Sequence, residues 1–223
     1  MPSDMAFRHM VLGILSVTAT EPLSSFAAIP SGKQLERKEK CEMKGTRHNG
    51  RSGKNGVYNP LHNDRRFNPE HSEHIDNERV RQNIYWDCYQ GYTTMEDQGK
   101  ENNFSFEQIE LAFYEEHYGN YVMKQNERHV KARHPDRCKE VEDVWKNKKT
   151  CPEESIYQLG TIDEHASVET LILVFDEFKK EFDERFGSNV HIIDWSLHMD
   201  EATPHIHERH VFDATNRYGE IEP

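Results

Sequence analysis

The sequence predicts an α+β fold: an antiparallel sheet with helices packed on one face, plus a helical insert. Three observations predict it. Near the C-terminus two runs read as strands joined by a short polar connection: Val190–His198, which alternates apolar and polar residues, and His205–Phe212. Ser105 and Ser167 each stand just before an apolar pattern of helical period. In chain order the elements read strand, helices, strand, helix, strand, strand.

Each element has its own signal. Ile84-Tyr85-Trp86 is a short β-branched and aromatic run and reads as a strand. Residues 94–104 are polar and turn-like. Ser105 begins a helix, with Gln108 three residues on as in a capping box. Phe106, Ile109, Leu111, Phe113, Tyr114 and Tyr121 give it apolar faces to about Ala132, and Pro135 ends it. A shorter helix follows from Cys138 to Lys146, so the insert spans about 104–149. Ser155–Ile162 reads as a strand. Ser167 caps a helix to about Phe186, its buried stripe being Leu171, Leu173, Val174, Phe175, Phe178 and Phe182, and Gly187 stops it. Along Val190–His198, alternation puts Ile193, Trp195 and Leu197 on one face. Residues 43–60 carry Gly45, Gly50, Gly53 and Gly56 among Lys, Arg and Asn, and read as a flexible loop.

Composition bounds the organisation. A chain of 223 residues, 35% apolar, supports one core plus a loose extension. We place a disordered or atypical extension at 1–42 and the domain at 43–223. With no closing element after the last strand, the chain is expected to be a piece of a longer protein. A mean hydropathy of -0.96 excludes a membrane protein, and no apolar run reaches the roughly 20 residues that span a bilayer. Met10 to Ala19 resembles a secretory signal, but Asp4 spoils its basic lead and Glu21 comes too early. Cys41, Cys88, Cys138 and Cys151 form no CxxC pair and read as reduced thiols of a cytoplasmic protein. His129, His134, Cys138 and Cys151 are a zinc candidate, but their spacing matches no standard pattern, and ordinary helix residues are the better reading. The net charge of -12 opposes general phosphate binding, yet Ser31 to Arg66 holds ten Lys/Arg against four Asp/Glu. A basic arm on an acidic body can hold nucleic acid locally.

The richest segment is His198 to His210, HMDEATPHIHERH. His205 and His207 are two apart on a strand, so both rings point to one face. His198 ends the preceding strand and closes on the same point if the two strands pair. Three neutral imidazoles suit a divalent transition metal and leave positions for water or a phosphate oxygen. His210 has the opposite parity and is excluded. Asp200 and Glu201, in the connection, are placed to orient a ligand or another histidine.

Upstream stands His62-Asn63-Asp64-Arg65-Arg66. A histidine attacks phosphorus when a carboxylate holds its other ring nitrogen. Arg65 offers a bidentate phosphate fork, and Arg66 and Arg79 offer further DNA contacts. Tyr58, Tyr85, Tyr89 and Tyr92 compete with His62 as nucleophiles.

The HxDExxPHxH pattern from His198 to His207 resembles the third motif of the Mob/Pre plasmid recombination enzymes, MobV-type relaxases of the HUH endonuclease class. His62-Asn63-Asp64-Arg65 is similar to their N-terminal HNxR motif, and Ile75-Asp76, Arg79 and Asn83 resemble its continuation. The resemblance covers roughly Met43 to Pro223. It implies that the sheet carries the HUH histidines, with His198, His205 and His207 holding Mn2+ or Mg2+. It implies that His62 is the nucleophile, that Glu201 holds or activates it, and that Arg65 binds phosphate. The implied activity is nicking and rejoining of single-stranded DNA at a plasmid transfer origin through a covalent link, for mobilisation or recombination. The full-length protein would be a possible homodimer. Two other readings stand beside it: a non-catalytic DNA-binding accessory of the same fold, and a metal-dependent small phosphoesterase. Aromatics such as Trp86 and Tyr89 favour long nucleic acid over a small substrate.

Overall fold

The computed structural model describes residues 44–223 apart from 55, 68–71, 73, 99, 101 and 102. The expected extension at 1–42, and with it most of the basic arm's lysines, lies outside the described residues. The architecture is mixed: one antiparallel sheet of six strands, with helices, as the alternating and 3.6-period patterns require.

The sheet runs in the order β1-β6-β8-β7-β4-β5. Its strands are β1 (Gly45–Gly50), β4 (Ile84–Asp87), β5 (Gly91–Thr94), β6 (Glu153–Leu159), β7 (Val190–His198) and β8 (His205–Phe212). A small hairpin, β2 (Ser52–Gly53) with β3 (Gly56–Val57), follows β1, and β9 (Ala214–Thr215) pairs with β10 (Ile221–Glu222) after β8. At the centre, β7 and β8 pair so that His198 faces His205 and Ser196 faces His207. On the other side of β8, Ile156 of β6 faces His207 and Glu154 faces Arg209.

Helix α1 (Phe106–Lys131) begins at Ser105, whose side chain accepts from the Gln108 amide while Gln108 returns a bond to the Ser105 backbone. That capping box satisfies two otherwise orphaned amides. The short helix α2 (Val141–Trp145) packs on α1. Helix α3 (Val168–Phe186) is capped by Ser167 and ends at Gly187.

Parity on β7 and β8 sets what each face meets. Phe175 of α3 packs edge-on against Trp195, and Phe182 packs against His210. On the other face Glu110 of α1 meets Arg209, and Ile109, Phe113, Tyr114 and Tyr118 cluster with Ile193 and Val211. Thus α3 covers one face, and the helical insert covers the face that carries His205 and His207. Each fully buried aliphatic or aromatic side chain here contributes roughly 1.5–3 kcal/mol.

Three sequence expectations change. Residues 45–50, read as loop, form the edge strand β1, whose register with β6 runs from Gly45↔Leu159 to Gly50↔Glu154. Glycine and polar content hid it because an edge strand needs backbone pairing more than apolar side chains. Ile193 does not share a face with Trp195: an irregularity between Ile192 and Asp194 puts Ile193 into the α1 core. Leu173 and Val174 are exposed, and Ile172 is buried beside Leu171 and Phe175.

Candidate active site

The histidines of the central hairpin and the segment after β3 meet on the insert face. A 3-10 turn, Pro60–His62, is capped by the Asn59 side chain, which accepts from the Leu61 amide. This turn delivers His62, and Asn63, Asp64 and Arg65 follow it into the interior. The His62 ring lies 5.6 Å from that of His198 and 5.3 Å from that of His207. The rings of His198, His205 and His207 lie 4.8–5.3 Å apart.

Hydrogen-bond partners fix the tautomers, because carbonyls and carboxylates only accept. His205 Nδ1 donates to the Thr203 carbonyl at 2.8 Å, and His207 Nδ1 donates to Glu154 Oε1 at 3.1 Å. His198 Nε2 donates to the Asn63 carbonyl at 2.8 Å. Each ring therefore has one nitrogen committed and one lone pair free. The two free Nε2 atoms of His205 and His207 face each other at 3.1 Å, and the buried Nδ1 of His198 has no hydrogen-bond partner. Facing lone pairs require a positive charge, a proton or a metal ion, between them. Ligand atoms of His62, His198 and His207 lie within 4.8 Å of one another, as do those of His198, Glu201 and His205. The donor set fits a borderline divalent cation, with committed outer nitrogens of the kind that orient metal-bound histidines.

Burial disfavours the charged form of His62, His198 and His205. Burial, then the nearby His207 and Arg65, holds His62 at about 4. Burial holds His198 well below its ordinary value, and burial with His207 lowers His205. For Glu154, burial opposes ionisation, but the bond from His207 and the charge of Arg209 outweigh it and hold the carboxyl at about 2.

Arg65 is engaged otherwise than as a free phosphate fork. Its side chain is fully buried, and its φ of 55° is left-handed. Nε and Nη2 donate to the two Asp200 oxygens at 2.9 and 2.8 Å, and Nη2 also reaches Glu201 at 2.7 Å. Nη1 donates to the His62 carbonyl at 3.0 Å. Arg65 thus ties the His62 turn to the β7–β8 connection. Glu201, given its strongest bond by Arg65, stands 3.8 Å from His62 Nε2, 3.9 Å from His198 Nδ1 and 3.8 Å from His205 Nε2. Arg79 donates to the Glu201 carbonyl at 2.6 Å and to Asp76 at 3.0 Å while remaining partly exposed. Arg66 donates to Asn103 and lies 3.5 Å from Asp64.

Tyr85 is buried, its hydroxyl on Met95 and its ionisation pushed up by burial, and Tyr89 donates to Glu116. His210 is buried on the α3 face, its Nδ1 donating to Glu208 at 2.8 Å.

Sequence reasoning gave no role to Glu154, Asn63 or Arg209. Glu154 Oε2 accepts from Asn63 Nδ2 at 3.0 Å and from Arg209 Nη1 at 3.2 Å, and Arg209 Nε reaches Glu110 of α1. Trp145 of α2 donates to the same Glu110 at 2.6 Å. The helical insert is therefore wired to His207. Only the β6–β8 register brings these residues together, and a local pattern carries no trace of it.

Residues 97–217 match the model of the Mob_Pre family, described as plasmid recombination enzyme. That is more than half of the chain, and the chain belongs to this family of plasmid recombination enzymes. No curated protein matches it. Among solved structures it is similar to the MobM relaxase domain (MOBV; Mob_Pre) bound to plasmid oriT DNA with manganese. One such structure, at pH 6.8, has 19% identity and a TM-score of 0.44, covering 74% of this chain and 68% of that one. Another, at pH 5.5, has 22% identity and a TM-score of 0.42, covering 81% and 73%.

Proposed function

We propose that this plasmid recombination enzyme is a metal-dependent relaxase that nicks and rejoins single-stranded DNA at a plasmid origin through a covalent link to His62. The observation that supports this reading is that the rings of His198, His205 and His207 lie 4.8–5.3 Å apart, with the ring of His62 5.6 Å from His198 and 5.3 Å from His207.

The chain's own residues divide the work. Thr203, Glu154 and the Asn63 carbonyl orient His205, His207 and His198 as ligands for Mn2+ or Mg2+. When bound, such an ion supplies charge against the scissile phosphate. His62, neutral and 42% exposed, presents a lone pair to phosphorus. An N–P bond forms to the 5′ side as the P–O3′ bond breaks, and the 3′ oxygen leaves as an alkoxide that takes its proton from solvent water. Glu201, 3.8 Å from the His62 ring, is placed to take the imidazole proton. Arg65 holds Glu201, Asp200 and the His62 carbonyl in one frame, so its contribution is positional. Arg66 and Arg79 are the DNA-contacting cations at the rim. Rejoining reverses the step, with a 3′ hydroxyl attacking the phosphohistidine. No helix of the described residues is long and apolar enough to cross a membrane.

The test is a denaturing gel of labelled single-stranded origin DNA incubated with the chain, with and without Mn2+. A metal-dependent nick with label retained on protein supports the reading. Metal and DNA binding without a nick or adduct supports the non-catalytic accessory instead, and absence of DNA binding supports the small phosphoesterase.

A further inference from the structure

On a chain of net charge -12, lysines gather at one concave place away from the histidines. The cleft is lined by Lys54 of the β2–β3 hairpin and by Lys139, Lys146, Lys148 and Lys149 around α2 and the segment leading to β6. All five are exposed. Lys146 is held by Glu142, whereas Lys54, Lys139, Lys148 and Lys149 form no ion pair with any described residue. The two walls are fixed to each other, since Arg51 donates to the Lys149 carbonyl and Cys151 Sγ lies 3.8 Å from the Arg51 carbonyl.

Like charges gathered in one concavity, four of the five without an ion-pair partner among the described residues, repel one another and attract a polyanion. A Cβ at Gly56 would meet nothing within 4 Å, so the hairpin wall is low there and admits close backbone approach. The cleft is also near the cut. Lys149 precedes Glu154, the partner of His207, by five residues, and Val57 precedes His62 by five. Either segment, fully extended, spans at most about 18 Å. A DNA strand crossing the histidines is thus within a few nucleotides of the lysines.

We propose that this cleft is a phosphate-backbone subsite for the DNA strand flanking the cut, giving affinity without sequence preference. The inference rests on the relaxase reading for its ligand. It joins Lys54 of the basic arm to lysines some ninety residues downstream, a set the linear sequence does not display.

The test is fluorescence anisotropy of a 30-nucleotide mixed-sequence single strand, titrated with the chain from 50 to 300 mM KCl. The variants are K54A/K148A/K149A and a charge-matched control, K124A/K131A/K180A, whose lysines are exposed elsewhere. Single strands lose roughly 0.7 in the log K against log salt slope per contact, so the cleft variant is expected to flatten the slope by about 2. The control should leave it unchanged, and Mn2+ binding by calorimetry should be unaltered in both. Equal slopes for wild type and cleft variant, or equal flattening by cleft and control, overturn the subsite. So does an equal loss of binding to poly-glutamate, which would mark an acidic-protein surface. Cleft-dependent DNA binding in a chain that makes no nick overturns the relaxase reading and leaves the subsite standing.

Discussion

Glu154 accepts from His207 Nδ1 at 3.1 Å through one oxygen, while Asn63 and Arg209 hold the other. One carboxylate therefore orients His207 directly and His198 through Asn63, whose carbonyl receives His198 Nε2. Losing such an outer partner commonly lowers metal affinity 10- to 100-fold. We expect E154Q, which removes the charge that accepts from His207 Nδ1 and Arg209 Nη1, to weaken Mn2+ binding by about that factor in calorimetry. Unchanged affinity would detach Glu154 from the metal cradle.

Arg209 is 1% exposed and bridges Glu110 and Glu154. Beside it Asp194 is fully buried, with no hydrogen-bond partner for either oxygen, and burial and Glu110 push its carboxyl far up toward the protonated form. Removing the Arg209 guanidinium leaves Glu110 and Glu154 without the cation that bridges them. R209A should cost about 3–5 kcal/mol of unfolding free energy in urea denaturation. A loss under about 1 kcal/mol would mean that the network is solvated.

Arg65 ties His62 to Asp200 and Glu201 through a planar fork. A lysine offers one point charge and cannot span these acceptors. R65K should lower stability by about 2 kcal/mol and lower nicking, through misplacement of His62. If Arg65 instead binds phosphate as a free cation, R65K would keep stability and raise only the DNA dissociation constant.

Mn2+ at 100 times its dissociation constant should stabilise the folded chain by about 2.7 kcal/mol, and EDTA should reverse this. The H198A and H207A variants should show no such gain in thermal unfolding. An equal gain in both would place the ion elsewhere.

The sequence made the central hairpin legible because alternation and the His-x-His spacing are local. The capped helices from Ser105 and Ser167 were legible for the same reason. Strand β1 was not, since its pairing with β6 spans about a hundred residues and its own side chains are polar. The irregularity at Ile192/Asp194, which reassigns Ile193, also leaves no periodic signature. Of the site, His198, His205, His207 and His62 could be singled out by residue type. Glu154 could not, because its place depends on strand pairing, and the burial of Arg65 depends on a left-handed turn.

The most direct measurement maps the covalent adduct: digestion of the Mn2+-dependent protein–DNA product, followed by mass spectrometry of the oligonucleotide-bearing peptide. The account predicts an acid-labile phosphate on His62, absent in H62A, with Mn2+ affinity of that variant within about twofold of wild type. Attachment to Tyr58, Tyr85, Tyr89 or Tyr92, or loss of metal binding in H62A, would contradict it.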